Sequence, residues 1–81
     1  MKDNELLPII KDAAYQVRLA LAPGYLESVY QNALIIELRS RGLFVEKEAP
    51  IEVLYKGEVV GDFRADILVE RRIILELKAV R

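Results

Sequence analysis

The spacing of apolar residues changes at Gly42, and this change constrains the fold more than any other feature of the chain. Residues 6–21 carry apolar side chains three or four positions apart, which is typical of an amphipathic helix, and Pro23 and Gly24 then stop it. A second helical pattern covers residues 25–40, and Gly42 is placed as its C-terminal stop. The first half of the chain therefore predicts two helices that form an angled pair.

Beyond the second helix the apolar residues alternate with polar ones, as they do in strands. Pro50 is expected to break the first of these segments. Lys56 and Gly57 form a tight turn signal, and Gly61 suggests a bulge or bend in the strand that follows. We predict strands at residues 43–48, 51–55, 58–69 and 73–80.

Together these elements predict an α+β fold, with two N-terminal helices followed by a three- to four-stranded antiparallel β-meander in a single domain of residues 1–81. Helices that precede such a sheet cover only one of its faces. The last predicted strand, residues 73–80, is nearly all apolar, as in strands that are buried on both faces. We therefore expect a cover for the second face, either from a missing C-terminal part or from another chain.

The residue types that are absent restrict the chemistry. The chain has no His and no Cys, which excludes Ser-His-Asp and Cys-His nucleophiles, thiolate and histidine metal sites and a disulfide scaffold. A formal net charge of −1 gives no global attraction for nucleic acid. The N-terminal segment lacks the unbroken apolar stretch of a signal peptide or membrane helix, so we expect a cytoplasmic protein without a membrane partner.

Glu76 and Lys78 interrupt the apolar last strand, and their spacing places both side chains on one face, roughly 6–7 Å apart. Asp66 lies on the preceding strand. A two-residue turn at Arg71-Arg72 would put Asp66 and Glu76 on opposite faces, whereas a three-residue connection or one bulge would pair them. We predict the register that pairs them.

Paired in this way, the carboxylates of Asp66 and Glu76 would lie about 5 Å apart at their Cβ atoms and would repel each other unless a proton or a cation came between them. Oxygen donors of this kind suit Mg²⁺ or Mn²⁺. Lys78 would then orient or deprotonate an attacking water and offset charge on a phosphate. Without Asp66, the favoured explanation of Glu76 and Lys78 is an ion pair between side chains on the same face of an edge strand.

A resemblance to a known family rests on several stretches of the sequence. Asp66 followed by Glu76-Leu77-Lys78 resembles the D...(D/E)-x-K signature of the PD-(D/E)xK nuclease superfamily. Residues 24–30, GYLESVY, resemble the motif of its GxxExxY branch, and three further stretches agree in order and spacing: YQNALIIEL, YKGEVVGDFRADILVE and IILELKAV. The resemblance covers about residues 6–80.

The resemblance implies a metal-dependent nuclease with a restriction-endonuclease-like core, acting on nucleic acid and more on DNA than on RNA. It implies Asp66 and Glu76 as metal ligands that also belong to the catalytic set, and Lys78 as the catalytic lysine. Members often add an acidic residue from the first core helix, and Glu27 matches that position in the motif. Glu37 is a second candidate for this role.

The candidate residues other than Asp66, Glu76 and Lys78 also have structural explanations. Glu27 at a helix start is favoured by the helix dipole, and Glu37 has a potential ion-pair partner in Arg41 one turn later. Arg64 is our candidate for contacting a substrate phosphate, although exposed arginines such as those of the predicted hairpin tip are more often solvated.

The chain departs from the superfamily pattern in two places. Ala65 stands where a proline usually precedes the aspartate. Members also continue beyond the lysine with a helix and a strand, whereas this chain ends three residues after Lys78, which predicts a partial core that lacks those two elements. We therefore expect a homo-oligomer that covers the open sheet face, and the alternative function is a catalytically inactive module for oligomerisation or nucleic-acid binding.

Overall fold

The computed structural model of the protein describes residues 2–76, and this part of the chain forms two helices followed by a three-stranded antiparallel sheet in the order β1-β2-β3. The predicted α+β fold is therefore confirmed. The elements are α1 (Asp3–Ala20), α2 (Glu27–Ser40), β1 (Val45–Tyr55), β2 (Glu58–Val69) and β3 (Ile73–Leu75).

Helix α1 presents one apolar stripe to the core. Its buried residues follow the predicted helical spacing and are Leu6, Ile10, Ala13 and Val17. The helix begins three residues before the predicted start at Leu6 because the Glu5 carboxylate accepts a hydrogen bond from the Lys2 backbone N–H at 3.1 Å, which satisfies a donor of the helix start. None of the helices within residues 2–76 is long and apolar enough to cross a membrane.

Helix α2 ends where Gly42 predicts that it should. Gly42 has a φ of 83°, its N–H bonds to the Arg39 carbonyl at 3.0 Å, and the N–H of Leu43 bonds to the Leu38 carbonyl at 3.3 Å. This is the hydrogen-bond pattern of a Schellman cap, in which a left-handed residue reverses the chain. The buried residues of α2 are Leu34, Ile35 and Leu38.

The prediction that Pro50 breaks the first strand is wrong. Strand β1 runs without interruption from Val45 to Tyr55, and Pro50 is paired with Arg64 of β2. Proline lacks the N–H that a central strand must donate, but β1 pairs on one side only in the described sheet, and an edge strand tolerates this loss.

The β1–β2 hairpin has the turn and the bulge that its sequence predicts. Lys56 and Gly57 have φ values of 51° and 82° and connect Tyr55 to its partner Glu58, which is the geometry of a two-residue type I′ turn. The register shifts next to the pair formed by Val53 and Gly61, so the predicted bulge at Gly61 is confirmed.

The β2–β3 connection has three residues, Glu70 to Arg72, because Val69 is paired with Ile73. Glu70 and Arg71 both adopt left-handed conformations, with φ values of 53° and 52°. A three-residue connection is what the predicted pairing of Asp66 with Glu76 requires. The described part of β3 ends at Leu75, and the predicted continuation over residues 77–80 lies outside the described residues.

The core lies between the two helices and one face of the sheet, where Ile67 and Val69 of β2 are fully buried. Polar contacts also fasten α2 to β1, since Arg39 donates to the Val45 carbonyl at 2.9 Å and Lys47 donates to the Asn32 side chain at 2.9 Å. The distal half of the β1–β2 hairpin extends beyond this core and exposes large apolar side chains, namely Val53, Leu54, Tyr55, Val59, Val60 and Phe63.

Candidate functional site

Asp66 lies in β2 between two fully buried residues, Ala65 and Ile67, and is itself only half-buried. Side chains alternate along a strand, so the carboxylate is not part of the apolar layer that Ile67 joins. The Asp66 backbone carbonyl accepts a hydrogen bond from the Gln31 side-chain amide of α2 at 3.0 Å. The strand position of Asp66 is thus fixed from both the sheet and the helix.

Glu76 is exposed and follows directly after β3. The last described pair of this register joins Ile67 to Leu75, so the same register continued by one residue sets Asp66 opposite Glu76. Directly opposite residues of an antiparallel pair have Cβ atoms about 4.5–5.5 Å apart. Lys78, the predicted catalytic lysine, lies outside the described residues.

Glu48 also lies beside Asp66, on the other neighbouring strand, and the sequence reasoning did not single it out. It falls between the pairs Lys47–Ile67 and Ala49–Ala65, and its φ of 51° interrupts the regular pairing there. Only the register of the first hairpin reveals this position, because Glu48 belongs to no motif in the sequence.

Glu27 is the first residue of α2 and is exposed. Its carboxylate therefore lies in the first turn, where the helix dipole favours a negative charge. It comes four residues before Gln31, the residue that binds the Asp66 carbonyl, so Glu27 is about one helical turn, or 6 Å, further along the axis. The structure thus brings the start of α2 to the part of β2 that carries Asp66.

The loop before Glu27 is held by the hydroxyl of Tyr30. This hydroxyl donates a hydrogen bond to the Ala22 carbonyl at 2.6 Å and accepts one from the Tyr25 backbone N–H at 3.2 Å. The two tyrosine rings meet edge to face with centroids 6.1 Å apart. Gly24, between Ala22 and Tyr25 in the chain, has a φ of 105°, so its expected role in the turn is confirmed.

Tyr30 packs against the apolar core and is partly buried. Its hydroxyl contacts were not predicted. The signal that was available is the seven-residue stretch from Gly24 to Tyr30, because a glycine that turns the chain lies six residues before an aromatic residue that has a polar tip.

The structure gives Glu37 a structural partner rather than a place beside Asp66. The Glu37 carboxylate accepts a hydrogen bond from Arg41 at 3.0 Å, and Arg41 also donates to Asp12 of α1 at 2.8 Å. These two hydrogen bonds, the one to Asp12 more than the one to Glu37, raise the pKa of the Arg41 guanidinium. The predicted Glu37–Arg41 pair is confirmed, and the bond from Arg41 to Asp12 joins the end of α2 to α1.

The arginines differ in their surroundings. Arg71 pairs with Glu46 at 3.2 Å and Arg72 pairs with Asp3 at 2.6 Å. Arg64 is exposed on the hairpin and forms no ion pair within residues 2–76. It lines an open depression of about 600 Å³ together with Pro50, Ile51, Glu52, Asp62 and Phe63. Of these three arginines, Arg64 is thus the one without a described ion pair, and the acids Glu52 and Asp62 line the same depression.

The carboxylate oxygens of Asp66 and Glu76 are suitable ligands for a hard divalent cation. Mg²⁺, for example, commonly binds one or two carboxylates together with several waters. Within residues 2–76, no group of three acidic side chains stands close enough together to hold a metal ion. The described residues therefore offer the carboxylates of Asp66 and Glu76 to such a site, and Glu27 lies in the first turn of α2.

A family model described as PD-(D/E)XK nuclease superfamily matches residues 4–81. The chain belongs to this superfamily. The match spans both helices, the described sheet and all four residues of the expected constellation, which are Glu27, Asp66, Glu76 and Lys78. It identifies the PD-(D/E)XK superfamily and does not distinguish the GxxExxY branch.

No curated protein and no solved structure matched the chain. Membership of the PD-(D/E)XK superfamily nevertheless has direct consequences for this site. Nucleases of this superfamily generally use divalent metal ions and bind nucleic acid, and the two helices and antiparallel sheet are consistent with a partial core of that fold.

Proposed function

We propose that this protein is a nuclease-like domain that hydrolyses phosphodiester bonds of nucleic acid with the help of Mg²⁺ or Mn²⁺, and that it acts on DNA in preference to RNA. The observation that carries the proposal is the β2–β3 register, which continued by one residue would pair Asp66 with Glu76, in a chain of the PD-(D/E)XK superfamily. A nuclease of this kind would act in the cytoplasm.

In this proposal Asp66 and Glu76 hold the metal ion, and Glu27 supplies a further oxygen from the start of α2. A divalent ion bound there supplies Lewis-acid stabilisation of charge on a phosphoryl oxygen. Lys78 holds or accepts the proton of the attacking water and balances the charge that develops on the phosphate.

Arg64 would contact the phosphate backbone of the substrate. This role is supported by its exposure and by the absence of an acidic partner among residues 2–76. Contacts of this kind position a nucleic acid without reading its sequence. Because the net charge of the chain is −1, such a local contact and the bound cation would have to supply the attraction that the overall charge does not.

The test is isothermal titration of the protein with Mg²⁺ and Mn²⁺, combined with a nuclease assay on single- and double-stranded DNA and RNA. Asp66→Ala should abolish metal binding, and Lys78→Met should abolish cleavage. Asp62→Ala is the matched control, because Asp62 is an exposed aspartate of the same strand, four residues earlier. A wild-type protein that binds neither ion would show the proposal to be wrong.

A second candidate function, a non-catalytic homo-oligomeric module, is favoured by the apolar surface of the β1–β2 hairpin. Tyr55 and Val60 are each 63% exposed, and Ile74 of β3 is 42% exposed. Apolar surface that is contiguous over several hundred Å² usually marks an interaction site. We propose that a second copy covers part of the sheet, and light scattering after size exclusion tests it: a monomer at high protein concentration would contradict this proposal.

A further inference from the structure

The start of α2 lacks the side-chain cap that usually holds a helix N-terminus. Its N-cap residue is Leu26, which has no oxygen with which to accept a hydrogen bond from the first turn. The first helical residue, Glu27, therefore follows a loop that must be ordered by other contacts. Tyr30, on the next turn of the same helix, provides them, and its neighbour Gln31 bonds the helix to β2.

Tyr30 holds the loop from the helix side. One oxygen atom both donates to the Ala22 carbonyl at 2.6 Å and accepts from the Tyr25 N–H at 3.2 Å, so it joins two points of the chain on either side of Gly24. Since Gly24 allows backbone conformations that other residues rarely adopt, the loop has alternatives that this contact excludes. The direction in which the chain enters α2 at Glu27 is thereby fixed.

Gln31 holds the helix from the sheet side. Its amide donates to the Asp66 carbonyl at 3.0 Å in a partly buried position. The contact is made by the backbone of the residue whose side chain is the proposed metal ligand. It therefore sets how far the first turn of α2 stands from Asp66, whatever the conformation of the Asp66 side chain.

We propose that Tyr30 and Gln31 are positioning residues that together hold Glu27 at a set distance from Asp66, so that the carboxylate of Glu27 reaches a metal ion bound at Asp66. The inference rests on the proposed nuclease function. It goes beyond that function by assigning roles to two residues that are not themselves metal ligands. A ligand that is fixed in advance loses less entropy when the ion binds.

The first experiment compares Tyr30→Phe with Tyr15→Phe in Mn²⁺ titrations of the whole chain. Both variants lose only a hydroxyl, and Tyr15 is an exposed residue of α1. We expect Tyr30→Phe to weaken Mn²⁺ binding roughly two- to tenfold, the range expected for loss of one hydrogen bond to a ligand-bearing segment, and Tyr15→Phe to leave it unchanged. Hydrogen exchange of the Tyr25 amide should also become faster in Tyr30→Phe.

The second experiment asks whether these residues act through Glu27, which a general structural role would not require. Gln31→Met, with Gln16→Met on α1 as its control, should also weaken Mn²⁺ binding by roughly two- to tenfold. In a Glu27→Gln background, neither Tyr30→Phe nor Gln31→Met should cause any further loss, because the group that they position no longer binds the ion.

The outcomes separate the inference from the proposed function. If the wild type binds no Mn²⁺, both fail. If the wild type binds Mn²⁺ and Asp66→Ala does not, but Tyr30→Phe and Gln31→Met bind as the wild type does, the nuclease proposal stands and the positioning role is wrong. The positioning role is also wrong if Tyr30→Phe and Gln31→Met weaken Mn²⁺ binding equally with and without Glu27→Gln. Should Tyr30→Phe fail to fold, the cycle of Gln31→Met with Glu27→Gln decides alone.

Discussion

Leu38 gives the most direct test of how the helices hold the sheet. It is fully buried, with 0% exposure, and lies in the core cluster that joins α1, α2 and the sheet. Leu→Ala at such a site costs about 2–5 kcal/mol through lost burial and the cavity that remains. At roughly 0.05–0.15 kcal/mol per residue, a chain of this length has about 4–12 kcal/mol of stability. Leu38→Ala should therefore remove a large part of it.

Ile36→Ala is the matched control, because Ile36 lies on the same helix and is 69% exposed. Little burial is lost there, and alanine is the better helix former, so the change in unfolding free energy should stay within about 0.5 kcal/mol. Urea unfolding followed by far-ultraviolet circular dichroism measures both. With an m value of about 1–3 kcal/mol/M, the midpoint for Leu38→Ala should fall by roughly 1 M or more. Similar midpoints for Leu38→Ala and Ile36→Ala would refute the assignment of α2's buried face.

Three further predictions concern the hairpin, the helix pair and the metal. Lys56→Asn should raise the free energy of unfolding by about 0.5 kcal/mol, because Asn tolerates the left-handed conformation at the first position of a type I′ turn. An unchanged or lower melting temperature would contradict this prediction. The Asp12–Arg41 pair is exposed to solvent, so a double-mutant cycle in chemical denaturation should give a weak coupling that decreases at high salt. A strong coupling that does not change with salt would be inconsistent with a screened pair. If the protein cleaves nucleic acid, EDTA should stop cleavage and added Mg²⁺ should restore it, whereas cleavage that persists in EDTA would rule out the metal-dependent mechanism.

The helices were predictable from the sequence because the signals that set them are local. The buried residues of α1 recur at helical spacing, and Gly42 ends α2 through contacts within a few residues of itself. The start of α1 was placed too late because the apolar stripe begins at Leu6, while the bond between Lys2 and Glu5 extends the helix into a polar segment. The spacing of apolar residues predicts which face of a helix is buried, but it does not predict where a helix with a polar end begins.

The continuity of β1 was not predictable in the same way. Whether Pro50 breaks a strand depends on whether the strand lies at an edge, and this is a property of the strand order rather than of the residues around the proline. The turn at Lys56-Gly57 and the bulge at Gly61 were predicted correctly because each depends on a backbone conformation that the residue types themselves favour.

The candidate site has one part that could be predicted from the sequence and one part that could not. The β2–β3 register, which continued by one residue would set Asp66 opposite Glu76, could be chosen from the sequence because strand alternation leaves only two alternatives, and only one brings the two carboxylates onto one face. The contacts of Tyr30 and Gln31 could not be chosen in this way, since they depend on the path of a loop and on the approach of α2 to β2. Acidic ligands can thus be found by their pattern, whereas the residues that set the distances between them have no pattern of their own. It follows that substitutions confined to the motif acids would test whether a metal ion binds, but only substitutions at Tyr30 and Gln31 would test why it binds there.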